Sequence, residues 1–197
     1  NKGVNIIVIG SGLDSRPFRM DGGIWVEIDD KNLIDYKNAV LPSEECKNPI
    51  KRMGVDFEND ELEQVLSNLS NVGDSLVIIE GVLIYLNQVQ INGTLSLLDK
   101  YLNNYRLISD VIHESFSKRY SKSFDQKVNA LTSQYRSIND LKGLLTDKYG
   151  KGEVKSVFHE TLKRSKKRVL SRFIRIFSPL LFNGYEVIRF SRVKESS

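Results

Sequence analysis

The chain has 197 residues, of which 40% are hydrophobic and 27% charged, with a net charge of +4, a composition typical of one soluble domain with a sizeable core. No apolar run approaches the roughly 18 residues that a membrane-spanning helix needs, which excludes a helical membrane protein. Cys46 is the single cysteine, so an intrachain disulfide is excluded and no zinc cluster is indicated; we expect a reducing compartment, by default the cytoplasm.

The first hundred residues alternate short β-branched runs with amphipathic helical stretches, a pattern typical of an α/β protein with a parallel sheet. The pattern predicts strands over residues 4–9, 24–28, 51–55, 76–79 and 107–112. Helices are predicted between them, over about residues 30–41, 62–69 and 87–102. In the first of these helices Lys37 falls on the apolar face, where we expect it to contribute only its aliphatic stem.

The region after residue 113 has a different character. Residues 115–152 are rich in Ser, Lys, Asn and Asp, and they predict helices and loops over the sheet rather than another βα unit. Residues 161–177 form a basic amphipathic helical pattern, and residues 185–193 alternate like a strand. The basic helix is either a solvated face packed on the sheet or a surface for anions. Because its basic face carries no interleaved aromatic residues, we expect no nucleic-acid partner.

Charge is divided unevenly along the chain. Residues 1–100 carry 9 Lys and Arg against 16 Asp and Glu, a net charge of −7, whereas residues 101–197 carry 20 against 9, a net charge of +11. The total of +4 therefore says little about partners. The chain also opens with Asn1 and enters a strand pattern almost at once, so we expect a single domain over residues 1–197 with a segment missing upstream.

A glycine-rich turn follows the first predicted strand. Gly10, Ser11 and Gly12 lie where a doubly wound sheet places its cofactor loop, and glycines there let the backbone approach a ligand closely. Ser15 replaces the third glycine of the dinucleotide fingerprint, and Asp14 adds a negative charge where a pyrophosphate needs a positive helix end. A tight turn without a ligand is the structural alternative. With a ligand, the carboxylate favours a cation or an amine, and S-adenosylmethionine carries both.

Acidic residues follow the next three predicted strands. Asp29 ends the second strand and can accept hydrogen bonds from ribose hydroxyls, or it can cap the helix that follows. Asp56 and Phe57 end the third strand, where the carboxylate can accept from an adenine amino group and the ring offers an aromatic face; capping is again the alternative for Asp56. Glu80 ends the fourth strand, and a carboxylate after an apolar run is costly without a partner.

The ends of successive parallel strands meet at one edge of a sheet, where open α/β sheets bind ligands. Four motifs follow one another along the chain: Gly10-x-Gly12-Leu-Asp14-x-Arg16, Glu27-x-Asp29 with Lys37, Val55-Asp56-Phe57, and Glu80-Gly81-Val-Leu-Ile-Tyr85-Leu86. In order and spacing they resemble the leucine carboxyl methyltransferase family, over about residues 4–112. That family includes the enzyme that methylates the C-terminal leucine of protein phosphatase 2A, and bacterial relatives that O-methylate small molecules.

The resemblance implies a Rossmann-like, doubly wound, mostly parallel sheet of the S-adenosylmethionine-dependent methyltransferase type, with an antiparallel C-terminal strand. The residues implied to bind the cofactor are Gly10, Ser11, Gly12, Asp29, Asp56, Phe57 and Glu80. The glycine turn and Glu80 would face the methionine part of S-adenosylmethionine, and Asp29 would hold the ribose. Asp56 and the backbone of Phe57 would hold the adenine.

Two further expectations come from the same resemblance. Arg16 and Arg19 look like the family's paired arginines, and we expect them to bridge the acidic strand ends. The family normally has a helical segment before the first strand that closes over the cofactor and supplies a basic residue for its carboxylate. This chain begins after that segment, so we expect a methyltransferase domain without its N-terminal lid.

Together with these features, the resemblance implies an S-adenosylmethionine-dependent O-methyltransferase that acts on a carboxylate or hydroxyl of a small molecule or of a peptide C-terminus. A carboxylate acceptor is ionised at pH 7 and needs no general base, whereas a hydroxyl acceptor needs one. His113 follows the fifth strand but is more simply a surface residue, so no catalytic residue is assigned and a carboxylate is slightly favoured. An NAD(P)-dependent oxidoreductase and a non-catalytic nucleotide- or anion-binding module are the alternatives.

Overall fold

The apolar and β-branched runs of the sequence form strands, and the stretches with helical periodicity form helices between them. The computed structural model describes residues 3–57, 59, 61–70, 72–112, 141–156 and 185–193. Its strands are β1 (Asn5–Ile9), β2 (Ile24–Asp30), β3 (Ile50–Val55), β4 (Ser75–Ile79), β5 (Asn104–Ile112), β6 (Glu153–Ser156) and β7 (Tyr185–Val193). The helices described are α1 (Arg16–Arg19), α2 (Lys31–Val40), α3 (Glu61–Ser67), α4 (Gln88–Tyr101) and α5 (Leu141–Tyr149).

The seven strands form one sheet in the order β3-β2-β1-β4-β5-β7-β6. β1 pairs in parallel with β2 on one side and β4 on the other, and β2 pairs in parallel with β3. β7 runs antiparallel to β6. The strand order reverses direction between β1 and β4, which is the switch point where doubly wound sheets bind ligands. The predicted mostly parallel sheet with an antiparallel C-terminal strand is confirmed.

The predicted elements of the first hundred residues lie within a few residues of the observed ones. α3 buries Leu62, Val65 and Leu66 along one stripe, as its spacing predicted. β6 was not predicted, because its four residues are too few and too charged to give a strand pattern. The predicted basic helix over residues 161–177 and the candidate His113 lie outside the described residues.

The chain divides into two compact units. The first comprises Asn1–Val82, Gln90–Ile108 and Ser191–Ser197. Its core is built from strand residues that are almost completely buried, among them Ile7, Ile9, Ile28, Val77 and Ile79. It therefore has the continuous apolar strands of a sheet covered on both faces.

The second unit comprises Leu83–Val89 and Ser109–Phe190. In it α5 buries Leu141 and Leu145, and the rings of Tyr149 and Phe190 lie with their centroids 5.7 Å apart. The expectation of one domain over residues 1–197 stays a prediction. Among the described residues, no helix combines the length and the apolar character needed to cross a bilayer.

Candidate active site

Strand register brings the predicted site residues to one edge of the first unit. Ile9, the last residue of β1, lies beside Ile28 of β2 and Ile79 of β4. The residues that follow these three are Gly10, Asp29 and Glu80. β3 lies on the far side of β2, with Val55 beside Asp30, so Asp56 and Phe57 leave the sheet at the same edge. The structure therefore places all seven predicted cofactor-binding residues at neighbouring strand ends.

The turn after β1 is held against β2 by its backbone. The amides of Gly10 and Ser11 donate to the carbonyl of Ile28, at 2.9 and 3.3 Å. Gly10 has φ +71° and Gly12 has φ +45°, a region that side chains other than glycine rarely adopt. A Cβ on Gly10 would lie 2.0 Å from Cγ2 of Val82, whereas a Cβ on Gly12 would have nothing of the described residues within 4 Å. Gly10 is therefore needed for packing, and Gly12 faces open space.

Ser11 is the buried polar residue of this turn, with 3% of its surface exposed. Its hydroxyl makes no hydrogen bond within the described part of the chain. A buried hydroxyl without a partner costs about 1–3 kcal/mol, so such groups in native proteins call for an explanation. A ligand that binds in the turn is one explanation that fits its place.

Asp29 is nearly buried, and its carboxylate is fixed by backbone donors. Oδ2 accepts from the amide of Gly12 at 2.6 Å, and Oδ1 accepts from the amide of Asp30 at 2.8 Å. The helix cap is Asp30, whose side chain accepts from the amides of Asn32 and Leu33. The capping alternative for Asp29 is therefore wrong, and its carboxylate stays at the strand edge beside the glycine turn.

Asp56 begins a tight turn after β3. Its amide donates to Oε2 of Glu61 at 2.8 Å, and its Oδ2 accepts from Nδ2 of Asn59 at 2.6 Å. It lies well before the start of α3, so the capping alternative for Asp56 is also wrong. Phe57 is 46% exposed, which leaves its ring available at the edge of the sheet. Glu61 also accepts from Nζ of Lys31, and these two donors lower the pKa of the Glu61 carboxyl.

Glu80 is 36% exposed and has a cationic partner. Nη2 of Arg16 lies 2.7 Å from its Oε2. Arg16 also binds Asp14, through Nε to Oδ2 at 2.5 Å and through its backbone amide to Oδ1 at 2.9 Å. Although burial opposes the charged form, these hydrogen bonds and the nearby carboxylates raise the pKa of Arg16. The expected bridge between acidic strand ends is confirmed for Arg16, whereas Arg19 is exposed and makes no ion pair within the described residues.

Two features of this edge differ from the sequence-based expectation. Asp14 was expected to offer its charge to a ligand, but both of its oxygens are bound to Arg16. Lys37 was expected to bury only its stem, but its ammonium is completely buried, 2.8 Å from Oε1 of Glu27 and 3.5 Å from the carbonyl of Ser11. Arg52 approaches the other oxygen of Glu27, with Nε at 2.9 Å. A carboxylate inside an apolar strand needs cationic partners, and this was the available signal.

Comparison with known proteins gives a family match and many structural matches. Residues 1–99 match the family described as leucine carboxyl methyltransferase. A search of curated protein sequences found no match. Among solved structures, the methyltransferase domain of bacterial CtHen1 matches with a TM-score of 0.62 and 11% identity, over 97% of this chain and 91% of that one.

Two further structures illustrate the range of matches. An O-methyltransferase family protein from Burkholderia thailandensis has a TM-score of 0.57 at 7% identity, over 98% of this chain, which spans 52% of that chain. Geranyl diphosphate C-methyltransferase from Streptomyces coelicolor A3(2), solved with Mg²⁺, geranyl diphosphate and S-adenosyl-L-homocysteine, has a TM-score of 0.54 at 12% identity, over 98% of this chain and 75% of that one. At these identities the likeness shows the fold, which is the predicted methyltransferase type.

Proposed function

This chain belongs to the leucine carboxyl methyltransferase family of S-adenosylmethionine-dependent methyltransferases, and we propose that it is an O-methyltransferase acting on a carboxylate or hydroxyl of a small molecule or of a peptide C-terminus. The observation that carries the cofactor part of the proposal is the register of the central strands. It gathers the glycine turn, Asp29 and Glu80 at the ends of three adjacent strands, at the switch point of the sheet.

The residues at this edge fit the proposed cofactor. The buried Ser11 hydroxyl has no partner among the described residues, and the space beside Gly12 is open. The open space leaves room for a ligand at the turn. The residues that would hold the cofactor are Gly10, Ser11, Gly12, Asp29, Asp56, Phe57 and Glu80. In this assignment the Asp29 carboxylate, fixed by two amides, binds the ribose, and the exposed ring of Phe57 lies beside the adenine.

The charge of the edge favours a cationic ligand. Asp14, Arg16 and Glu80 together carry one net negative charge, and Asp29 adds another at the neighbouring strand end. The buried Lys37, Arg52 and Glu27 behind the turn carry one net positive charge, so the edge stays negative. A sulfonium or an ammonium group is attracted to such a site, whereas the pyrophosphate of a dinucleotide is repelled. The same charge balance therefore supports a methyltransferase over an NAD(P)-dependent oxidoreductase.

S-adenosylmethionine supplies an activated methyl group on its sulfonium. What the protein must add is orientation, because most of the acceleration of such a displacement comes from holding the acceptor oxygen in line with the methyl carbon. The backbone hydrogen bonds of the Gly10 turn and of Asp29 hold the residues assigned to the cofactor in place without a ligand. They would therefore help to orient the methyl group toward the acceptor. A carboxylate acceptor is already ionised at pH 7, so its transfer needs no general base.

Calorimetric titration with S-adenosylhomocysteine and, separately, with NAD tests the cofactor assignment. We expect heat with the first and none with the second; binding of NAD alone would contradict the proposal. Asp29→Ala should weaken the affinity for S-adenosylhomocysteine at least about tenfold, because hydrogen bonds to a charged group contribute roughly 1.5–3 kcal/mol each. Asp30→Ala is the matched control: it removes the α2 cap and about 1 kcal/mol of stability, but should leave the affinity unchanged.

The acceptor class is tested by transfer of a labelled methyl group from S-adenosylmethionine to a panel of carboxylic acids, C-terminal peptides, phenols and alcohols. Mild alkali hydrolyses methyl esters to methanol and leaves methyl ethers intact. Label that becomes volatile after alkali therefore identifies a carboxylate acceptor, and label that stays with the product identifies a hydroxyl. Transfer to nitrogen or carbon acceptors alone would overturn the proposed O-methylation.

A further inference from the structure

Among the described residues, the Glu80 carboxylate is bound through one of its two oxygens. Its Oε2 lies 2.7 Å from Nη2 of Arg16, and its Oε1 accepts no hydrogen bond within the described residues. With 36% of the side chain exposed, the second oxygen can be reached from solvent. A carboxylate held through one oxygen has a fixed direction and can still accept a donor through the other.

Arg16 is in turn fixed by Asp14. Oδ2 of Asp14 accepts from Nε of Arg16 at 2.5 Å, and Oδ1 accepts from the Arg16 amide at 2.9 Å. The Asp14 amide donates to the carbonyl of Ser11 at 2.9 Å, which ties this pair to the glycine turn. Because a guanidinium group is planar, holding Nε against Asp14 also fixes the direction of Nη2. The order of contacts is therefore Asp14, Arg16 and Glu80, running from the turn to the open side of the edge.

We infer that Arg16 is a positioning residue that directs Oε1 of Glu80 toward the α-ammonium group of the bound cofactor, and that Asp14 acts only through Arg16. This inference rests on the proposed function. The charges agree with it, since the three side chains leave one negative charge uncompensated, which is what a single ammonium group neutralises. Both oxygens of Asp14 already accept from Arg16, and its side chain is less exposed than that of Glu80, so Glu80 is the more accessible carboxylate.

Binding of two different ligands shows whether Arg16 positions Glu80 or only stabilises the fold. S-adenosylhomocysteine carries the α-ammonium group, whereas 5′-methylthioadenosine has the adenosine and the sulfur but no amino-acid part. Calorimetric titration should show that Arg16→Met weakens binding of S-adenosylhomocysteine by about tenfold, while binding of methylthioadenosine stays within about twofold of wild type. Arg19→Met is the matched control, because Arg19 is exposed on the same short helix and makes no ion pair in the described part of the chain.

Two more variants test the order of contacts. Asp14→Asn should reproduce the selective loss seen with Arg16→Met, although Asp14 touches no ligand in this assignment. Glu80→Gln should show the same selectivity, and the Arg16→Met/Glu80→Gln double variant should bind S-adenosylhomocysteine no more weakly than Glu80→Gln alone, because the two residues act as one unit. If Arg16→Met does not fold, the Asp14 and Glu80 variants decide the question.

The outcomes distinguish the two levels of the proposal. Wild-type protein that binds neither ligand overturns the proposed function and this inference with it. Wild-type protein that binds both, with an Arg16 or Asp14 variant that weakens both ligands equally or neither, overturns the inference alone. A selective loss of S-adenosylhomocysteine binding in the Asp14, Arg16 and Glu80 variants, with Arg19→Met unchanged, supports it.

Discussion

The ammonium group of Lys37 lies 2.8 Å from Oε1 of Glu27, and neither side chain is exposed to solvent. Oε2 of the same carboxylate accepts from Nε of Arg52 at 2.9 Å, so one buried anion serves two buried cations. Arg52 also donates through Nη1 to the carbonyl of Leu41, and Lys37 to that of Ser11. This cluster links α2, β2 and β3, and through Lys37 it contacts the backbone of the glycine turn.

The cluster predicts an unequal effect of removing its members. Glu27→Gln leaves Lys37 and Arg52 buried without an anion and should lower the free energy of unfolding by about 3–5 kcal/mol. Lys37→Met leaves Glu27 paired with Arg52 and fills similar volume, so its cost should be smaller, about 1–2 kcal/mol. Urea denaturation at pH 7 measures both.

The control for these variants is an exposed ion pair. Lys47 binds Asp21 at the surface, and Lys47→Met should leave the urea midpoint close to that of wild type because such pairs contribute little. A Lys37→Met variant that is less stable than Glu27→Gln would contradict the unequal roles assigned here.

The sequence predicted the central strands well, and with them the edge at which their carboxyl ends meet, for a physical reason. Apolar runs buried on both faces have few alternatives, and parallel strands necessarily bring their carboxyl ends to one edge. Features that depend on a shift of one residue, or on which side chains meet in the folded chain, could not be predicted from the sequence pattern. By residue type Asp29 and Asp30 are equally suitable helix caps. In the structure it is the Asp30 side chain that accepts from the first amides of α2. Similarly, the pattern placed Lys37 on an apolar face but carried no information on which charge it meets there.

The two glycines of the turn should respond differently to alanine. Gly10→Ala adds both a strained positive φ and a Cβ at 2.0 Å from Val82 Cγ2, so it should lower stability by more than about 2 kcal/mol. Gly12→Ala adds only the strain, about 1 kcal/mol, but its methyl group enters the open space beside the turn. Thermal unfolding and titration with S-adenosylhomocysteine should therefore show lost stability for the first and lost affinity for the second. Equal affinity of Gly12→Ala and wild type would place the cofactor elsewhere.

Glu61 should contribute a pH-dependent part of the stability. The hydrogen bond from Lys31, together with the amide of Asp56, lowers the pKa of Glu61 in the folded protein. A carboxyl whose pKa is lower when folded stabilises the protein above its unfolded pKa, about 4.3, and loses that contribution as the pH falls through the folded value.

Glu61→Gln keeps an acceptor for the Asp56 amide but removes the titration. The Tm difference between wild type and this variant should therefore be largest near pH 7 and shrink progressively below about pH 4. Glu45→Gln, which removes an exposed carboxylate without an ion pair among the described residues, is the control for the loss of one negative charge. A Glu61 difference that is constant with pH would contradict the assigned cause.

Substitution of Ser11 should affect stability and cofactor affinity differently. Because its buried hydroxyl has no partner among the described residues, Ser11→Ala removes an unsatisfied group and should leave the Tm of the ligand-free protein unchanged or slightly raised. The same substitution should weaken binding of S-adenosylhomocysteine by about two- to twelvefold, the loss expected for one neutral hydrogen bond of roughly 0.5–1.5 kcal/mol. Unchanged affinity would show that the hydroxyl does not bind the cofactor. A marked fall in the Tm of the ligand-free protein would instead show that the hydroxyl makes a hydrogen bond within the protein and that its role is structural.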